Sequence, residues 1–143
     1  MLHEPAVRLD DALQKCVLLE DLVVTTRGYT LVIPAGFATD LASTPRASWG
    51  LGFAPWELGG MVPCIPHDWG YEHGGHMTIR TPEGDVPHVF TKDDIDLFFL
   101  DLMEQQGVPL WKREAAYAAV RECGASSWQP WHPDSPSLSS RTA

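Results

Sequence analysis

Residues 91–109 read TKDDIDLFFLDLMEQQGVP and hold the clearest helical pattern of the chain. Thr91 is a suitable N-cap, and acidic side chains in the next turn, at Asp93 and Asp94, interact favourably with the positive end of a helix. Gly107 and Pro109 indicate where the helix ends. Apolar residues recur at helical spacing and predict one packed face: Ile95, Phe98, Phe99, Leu102 and Met103.

A second helix is predicted immediately downstream, from about Leu110 to Cys123, with Gly124 as its stop. Ala116, Val120 and Cys123 are spaced to share one face of this helix. The C-terminal half of the chain is therefore expected to be mainly helical.

Upstream of these helices the chain is rich in β-branched and aromatic residues. Residues 16–26 and 29–33 predict the two strands of a hairpin, with Arg27-Gly28 as the turn. Residues 77–81 and 86–90 predict a second, smaller hairpin. Strands in the first half and helices in the second half indicate an α+β fold.

The segment between the two hairpins contains many glycines and prolines, which predicts an ordered loop followed by a short helix. This helix can begin near Pro66, since proline is tolerated in the first turn, and Gly70 and Gly74-Gly75 are expected to keep it short. Four apolar side chains are expected to anchor the loop: Phe37, Trp49, Phe53 and Trp56.

The predicted organisation is one α+β domain over residues 1–124 and a tail over residues 125–143. In the domain, N-terminal hairpins and the ordered loop pack on about three helices, with the small hairpin between the first and second helix. The tail is rich in Ser, Pro and Trp, a composition that cannot form its own core. We expect a partner chain to hold it.

The chain of 143 residues contains 10 Lys and Arg against 19 Asp and Glu, a formal net charge of −9. This charge argues against a broad basic surface and hence against nucleic acid as a partner.

No signal peptide and no transmembrane segment is indicated. The chain has three widely spaced cysteines, Cys16, Cys64 and Cys123. Their number and spacing favour reduced thiols and synthesis in the cytoplasm, and Cys16 and Cys123 are expected to be buried.

The segment Pro66-His-Asp-Trp-Gly-Tyr71 holds the residues best suited to chemistry. On a helix, His67 and Tyr71 share a face, whereas Asp68 points about 100° away. An imidazole that acts as a base needs a hydrogen bond that fixes which ring nitrogen is free, and Asp96 is the best candidate to provide it. The alternative is structural, because a His-Asp pair at a helix start can cap the helix or satisfy loop backbone groups.

Metal binding is the other chemistry that this region allows. Asp40 could add a carboxylate to the site or cap a turn, and the turn is the favoured interpretation. His73 and His76 are expected to be exposed beside a glycine turn. Five potential ligands lie in a short stretch, but their spacing matches no standard zinc pattern: Cys64, His67, Asp68, His73 and His76.

The ordered series of motifs resembles the phage and prophage family catalogued as domain of unknown function 1353. The resemblance covers roughly residues 16–128 and implies a phage source, without an established activity. Four pieces carry it: Ile33-Pro-Ala-Gly-Phe-Ala-Thr-Asp40-Leu-Ala-Ser43-Thr-Pro-Arg46, His67-Asp-Trp-Gly-Tyr71, Asp96-Leu-Phe-Phe99-Leu-Asp-Leu102, and Ala116-Tyr117 to Val120-Arg-Glu-Cys-Gly124.

A more distant similarity is to secreted phospholipases of the A-two type and to the related domains of parvovirus capsids. There too, a His-Asp-x-x-Tyr helix is followed by a helix with an Asp that supports the His. The similarity implies four roles: general base for water at His67, orienter of that base at Asp96, hydrogen-bonding support at Tyr71 and calcium ligand at Asp68.

This second similarity also implies that backbone carbonyls of a glycine loop, around Gly50 and Gly52, complete the calcium shell. The chain departs from the phospholipase pattern in three respects. The disulfides are missing, the glycine loop is only approximate, and Pro63 and Pro66 interrupt the helix that carries the His.

Two functions follow as expectations. The first is a structural protein of the bacteriophage virion, in the tail or tail tip, that contacts other virion proteins in a multi-copy assembly and touches the host envelope. Its His-Asp hydrolase site could be active or vestigial. The alternative is a metal-dependent hydrolase of host-envelope lipid or peptidoglycan, with calcium as the expected ion and zinc as a less favoured one. In both, five residues form the candidate site: catalytic His67, Asp96 and Tyr71, and the metal ligands Asp68 and Asp40.

Overall fold

The computed structural model describes residues 4–10, 15–41 and 50–131, and it confirms the α+β fold. Within these residues the strands form two antiparallel sheets, and no helix is long and apolar enough to cross a membrane. The strands are β1 (Val7–Asp10), β2 (Lys15–Leu18), β3 (Leu22–Thr26), β4 (Tyr29–Ile33), β5 (Ala38–Thr39), β6 (His76–Thr81) and β7 (Gly84–Val89). The helices are α1 (Met61–Glu72), α2 (Lys92–Gln105) and α3 (Leu110–Cys123).

The two sheets have the strand orders β1–β2–β5 and β3–β4–β6–β7. The long strand predicted over residues 16–26 is in fact two strands, because the chain bends near residues 19–21 and passes from the first sheet to the second. The turn at Arg27-Gly28 is confirmed, with positive φ angles of 49° and 86°. The predicted smaller hairpin is formed by β6 and β7.

Helix α2 has both the predicted start and the predicted buried face. The Thr91 hydroxyl accepts a hydrogen bond from the Asp94 backbone, and the Asp94 carboxylate accepts one from the Thr91 backbone. This capping box satisfies two backbone donors that a helix start otherwise leaves without partners. All five apolar residues of the predicted face are buried, and Asp96 is buried with them.

Helix α1 begins at Met61, five residues before Pro66, so the predicted start was wrong. Pro63 lies in the first turn, where its missing N–H needs no helical partner, whereas Pro66 lies inside the helix. Residues 62–71 are all buried, and this packing outweighs the hydrogen bond that Pro66 cannot make. Gly70, which was expected to limit the helix, also lies inside it.

The predicted burial of the cysteines is only partly correct. Cys16 is buried in β2, as expected, but Cys123 is exposed. The buried residues of α3, Ala116 and Val120, are four residues apart, and the buried C-cap Gly124 continues this spacing, whereas Cys123 lies about 100° away from Gly124 around the helix.

The predicted loop anchors also differ in their environments. Phe37 is buried with its ring 5.0 Å from the ring of Trp69, and Phe53 is partly buried. Trp56 is 67% exposed because its 3-10 turn buries the neighbouring Pro55 instead. Trp49 lies outside the described residues.

The chain after α3 continues to pack on the domain. A 3-10 turn (Gly124–Ser127) leads to Trp128, whose ring lies 5.2 Å from the ring of Tyr71. The backbone N–H of Gln129 donates to the Tyr71 carbonyl at 2.8 Å, and Trp131 stacks on His76. Contacts with the domain thus extend beyond the predicted boundary, and the partner contact predicted for the tail stays a prediction, since residues 132–143 lie outside the described residues.

Candidate functional site

His67 and Asp96 meet between α1 and α2, as the sequence predicted. The Nε2 atom of His67 lies 2.9 Å from Oδ1 of Asp96. The two residues are 29 positions apart and come together because α1 and α2 pack side by side. The carboxylate does point inward from the edge of the apolar face of α2.

Tyr71 joins the same pair from the next turn of α1. Its hydroxyl donates to Oδ1 of Asp96 at 2.6 Å, and its ring centroid lies 4.3 Å from that of His67. The predicted support of His67 by Tyr71 therefore takes the form of a shared carboxylate and a ring contact.

Two basic residues of the site were missed by the sequence interpretation. Lys92 donates to Oδ2 of Asp96 at 2.8 Å and to the Val120 carbonyl at 3.1 Å, so it links α2 with α3. Arg121 approaches Oδ2 of Asp96 at 3.9 Å. The four-residue spacing between Lys92 and Asp96 is a signal for such a pair on one helix face, whereas nothing local indicated Arg121. We name His67, Tyr71, Lys92 and Asp96 the His67 cluster.

Burial largely decides the protonation of the His67 cluster. It lowers the pKa of the His67 imidazole from its ordinary value of 6.5, which favours the neutral ring. Burial alone would raise the pKa of the Asp96 carboxyl, but hydrogen bonds from His67, Lys92 and Tyr71 outweigh it and hold that pKa below 3.8. Burial, followed by the hydrogen bond to Asp96, raises the pKa of the Tyr71 phenol.

These protonation states fix the direction of the hydrogen bond between His67 and Asp96. An ionised carboxylate can only accept, so Nε2 of the neutral imidazole carries the proton that points at Asp96. This tautomer leaves Nδ1 as the basic ring atom, which is the arrangement that a His-Asp general base requires.

The His67 cluster is nevertheless closed. The side chains of His67 and Asp96 have no exposed surface, and His67 is not among the residues that line the two clefts at Thr39 and Asp40. A general base must lie within hydrogen-bond reach of the proton that it removes. In the described conformation, water or substrate cannot reach His67 directly.

An open cleft of about 380 Å³ lies beside the cluster. It contains the two residues predicted as metal ligands, since Asp68 and Asp40 both line it. The Thr39 hydroxyl donates to Oδ2 of Asp68 at 2.6 Å and accepts the Leu41 backbone N–H at 3.0 Å. The other described residues that line the cleft come mainly from β2, α1 and the chain after α3: Lys15, Tyr71, Glu72, Ser126, Ser127 and Gln129.

The described residues offer little for a metal ion held by side chains alone. Among them, no group of three or more His, Cys, Asp or Glu residues is arranged to bind one. His73 is buried and stacks on Trp69 at 3.7 Å, so its predicted exposure was wrong. Burial raises the pKa of the Cys64 thiol, which disfavours the thiolate that zinc needs.

The glycine loop implied by the phospholipase similarity lies elsewhere. A side chain at Gly52 would face Glu57 and Lys112, near the start of α3. Neither Gly50 nor Gly52 is among the described residues that line the cleft beside Asp68.

The chain matches a known protein family. A family model described as "Protein of unknown function (DUF1353)" matches residues 16–120. The match includes both helices that form the His67 cluster and most of α3. No curated protein and no solved structure matched the chain.

Proposed function

Since the chain belongs to the DUF1353 family, whose function is unknown, we propose from its geometry and from its sequence motifs that it is an architectural component of a bacteriophage particle, in the tail or tail tip. The observation that carries the proposal is the closed His67–Asp96 pair, with 2.9 Å between its atoms and no exposed side-chain surface. A closed pair of this kind stabilises the packing of the two helices that it joins.

The contacts of Asp96 support the architectural interpretation. The carboxylate binds His67 and Tyr71 from α1, and Lys92 carries the connection on to the Val120 carbonyl of α3. One buried charge thereby joins three helices. Removing one partner of a buried, charged network typically costs about 3–5 kcal/mol, because the remaining charge stays buried without compensation.

The phage assignment rests on the motif resemblance and on charge. The motifs of residues 33–46, 67–71, 96–102 and 116–124 resemble those of phage and prophage proteins. A net charge of −9 favours protein partners over packaged nucleic acid. We therefore place the chain among other virion proteins in a multi-copy assembly, in contact with the host envelope.

Purified particles of a phage that encodes this chain test the proposal. We expect mass spectrometry to detect the chain as a stoichiometric component, and we expect deletion of its gene to stop particle assembly. A chain found only in the infected cell, and never in particles, would contradict the proposal.

Complementation of the gene deletion with variants separates an architectural role of the protein from a catalytic one. The variant with Asp40→Asn and Asp68→Asn removes the charges of the two predicted metal ligands but leaves the His67 cluster intact. We expect it to restore assembly and infection, whereas Asp96→Ala should fail through loss of folded protein. Particles of the cleft variant that assemble and yet do not infect would favour catalysis.

A second candidate function is hydrolysis of host-envelope lipid or peptidoglycan. The open cleft favours it, because Tyr71 contributes both to the cleft and to the contact with His67. Under this hypothesis Asp68 and Asp40, together with backbone carbonyls, would hold calcium, and zinc is a weaker alternative. A movement that uncovers Nδ1 of His67 is required before it can accept a proton from water.

The hydrolase hypothesis is tested by measuring hydrolysis of phospholipid vesicles and of peptidoglycan by the purified protein, in the presence of calcium and in the presence of a chelator. It predicts turnover that His67→Ala reduces by about 10²–10⁴-fold. It also predicts loss of the calcium dependence in Asp68→Asn. Thermal unfolding of each variant identifies loss of fold, and background turnover by folded wild-type protein rules against this function.

A further inference from the structure

An apolar surface lies at the start of α3, away from the His67 cluster. Four large apolar side chains there are mostly exposed, and we name them the aromatic patch: Leu51 (76%), Trp56 (67%), Leu110 (56%) and Trp111 (65%). Exposed tryptophans are costly to leave in water and are enriched at the centres of protein interfaces.

The two chain segments that form the aromatic patch lie against each other. The ring centroids of Phe53 and Trp111 are 6.5 Å apart in an edge-to-face arrangement. Lys112 lies 3.9 Å from the Glu57 carboxylate and 5.5 Å from the centre of the Trp111 ring. The loop of residues 50–58 and the first turn of α3 therefore form one continuous surface.

The rim of the aromatic patch carries both signs of charge. Lys112 lies beside Glu57, and Arg113 lies 3.7 Å from Glu104. A two-fold axis through the patch brings each surface against a copy of itself, so that acidic groups of one copy can face basic groups of the other. The rim therefore holds both charge signs that a two-fold interface can pair across the axis.

We infer that the aromatic patch binds a second copy of this chain. The four exposed side chains present roughly 500 Å² of surface, given that aromatic side chains bury 150–250 Å² each. Two facing patches would bury about 1,000 Å², which is the lower limit for a specific interface. A lipid surface fits less well, because a net charge of −9 is repelled by the anionic lipids of a bacterial envelope.

This inference does not depend on what the His67 cluster does. Sedimentation velocity of the full chain tests it at concentrations on the order of 100 µM, since small interfaces often have micromolar Kd values. We expect a species of about twice 15.8 kDa. Trp111→Glu and Trp56→Glu should each raise the dimer Kd by roughly 30-fold or more, the effect of altering a central interfacial tryptophan.

The matched control is Val89→Glu, which places the same charge at another exposed apolar side chain, on β7. It should leave the Kd unchanged, and all three variants should keep the wild-type melting temperature at concentrations where the protein is monomeric. A monomeric wild type, or a dimer that neither tryptophan variant weakens, overturns the inference. So does a monomer that binds vesicles of phosphatidylglycerol through Trp111.

Discussion

Gly70 of α1 and Ile95 of α2 touch so closely that no side chain fits between them. A Cβ atom at Gly70 would lie 2.7 Å from Cδ1 of Ile95 and 2.8 Å from its Cγ2. Gly70 is one turn after His67, and Ile95 directly precedes Asp96. The missing side chain at residue 70 therefore lets the two helices approach far enough for His67 and Asp96 to bond.

Gly70→Ala is predicted to lower the free energy of unfolding by about 1–3 kcal/mol, because the added methyl group overfills a packed core. The separation of the helices should also weaken the His67–Asp96 hydrogen bond. Chemical denaturation measures the first effect, and the NMR signal of the His67 ring N–H measures the second.

The background Ile95→Ala provides the control for Gly70→Ala. It removes the atoms that the new methyl group would meet, so Gly70→Ala in this background should be neutral or stabilising by up to about 1 kcal/mol, the difference in helix propensity. An equal loss of stability in both backgrounds would show that the contact with Ile95 is not the cause.

The protein is predicted to lose stability as the pH falls below about 6.5. Burial lowers the pKa of His67 in the folded protein, so the unfolded chain binds a proton on residue 67 in a pH range where the folded protein does not. The free energy of unfolding then falls with decreasing pH, by up to about 1.4 kcal/mol per pH unit. The lowered pKa of Asp96 adds a further loss only when the pH falls below 3.8.

Denaturation curves between pH 8 and pH 5 measure this dependence, and His67→Gln should flatten it. His88→Gln, which removes a half-buried imidazole from β7, is the matched control and should keep the wild-type slope. Should His67→Gln fail to fold, NMR titration of the wild type gives the answer, since an imidazole that takes up its proton at pH 6.5 in the folded protein contradicts the prediction.

Lys92→Met is predicted to lower the free energy of unfolding by about 1.5–3 kcal/mol, the usual range for a hydrogen bond to a charged group. The change removes a cation 2.8 Å from Asp96 and should raise the pKa of that carboxyl. Lys112→Met is the control, because the Lys112 side chain is 19% exposed, close to the 21% of Lys92. Its ammonium group lies 3.9 Å from the Glu57 carboxylate, whereas that of Lys92 lies 2.8 Å from Asp96. We expect Lys112→Met to cost less than about 1 kcal/mol; equal losses would argue against a special role for Lys92.

Gly75→Ala is predicted to destabilise the fold strongly, although it adds only one methyl group. Gly75 has a φ of 84°, and a Cβ there would lie 1.8 Å from the Phe90 carbonyl oxygen, which is backbone and cannot turn away. Gly28 has nearly the same φ, 86°, with open space around it. Gly28→Ala should cost only the backbone strain of about 1–2 kcal/mol, whereas Gly75→Ala should prevent folding; similar melting temperatures for the two variants would refute the steric argument.

Much of the local structure could be predicted from the sequence because it depends on neighbours along the chain. The capping box at Thr91 and Asp94 and the turn at Arg27-Gly28 follow from residues a few positions apart. The pairing of His67 with Asp96 was also predictable, since a polar residue at the edge of an apolar helix face must point towards the packed side.

The errors lie where long-range packing overrides local preference. Helix α1 extends back to Met61 through Pro66 because its residues are buried against other elements. Cys123 is exposed because the buried positions at this end of α3 recur every four residues, at Ala116, Val120 and the C-cap Gly124. Trp128 and Gln129 pack on Tyr71, although their own segment has no apolar periodicity that predicts such a contact.

The sequence by itself determined α2, α3, the two hairpins and the identity of the His-Asp pair, because capping residues, turn residues and apolar periodicity along the chain specify them. Only the tertiary structure decided that Lys92 links the pair to α3 and that His67 is closed while Asp68 lines an open cleft. Exposure depends on the distance between elements, and the close contact at Gly70 and Ile95 shows how near α1 and α2 approach.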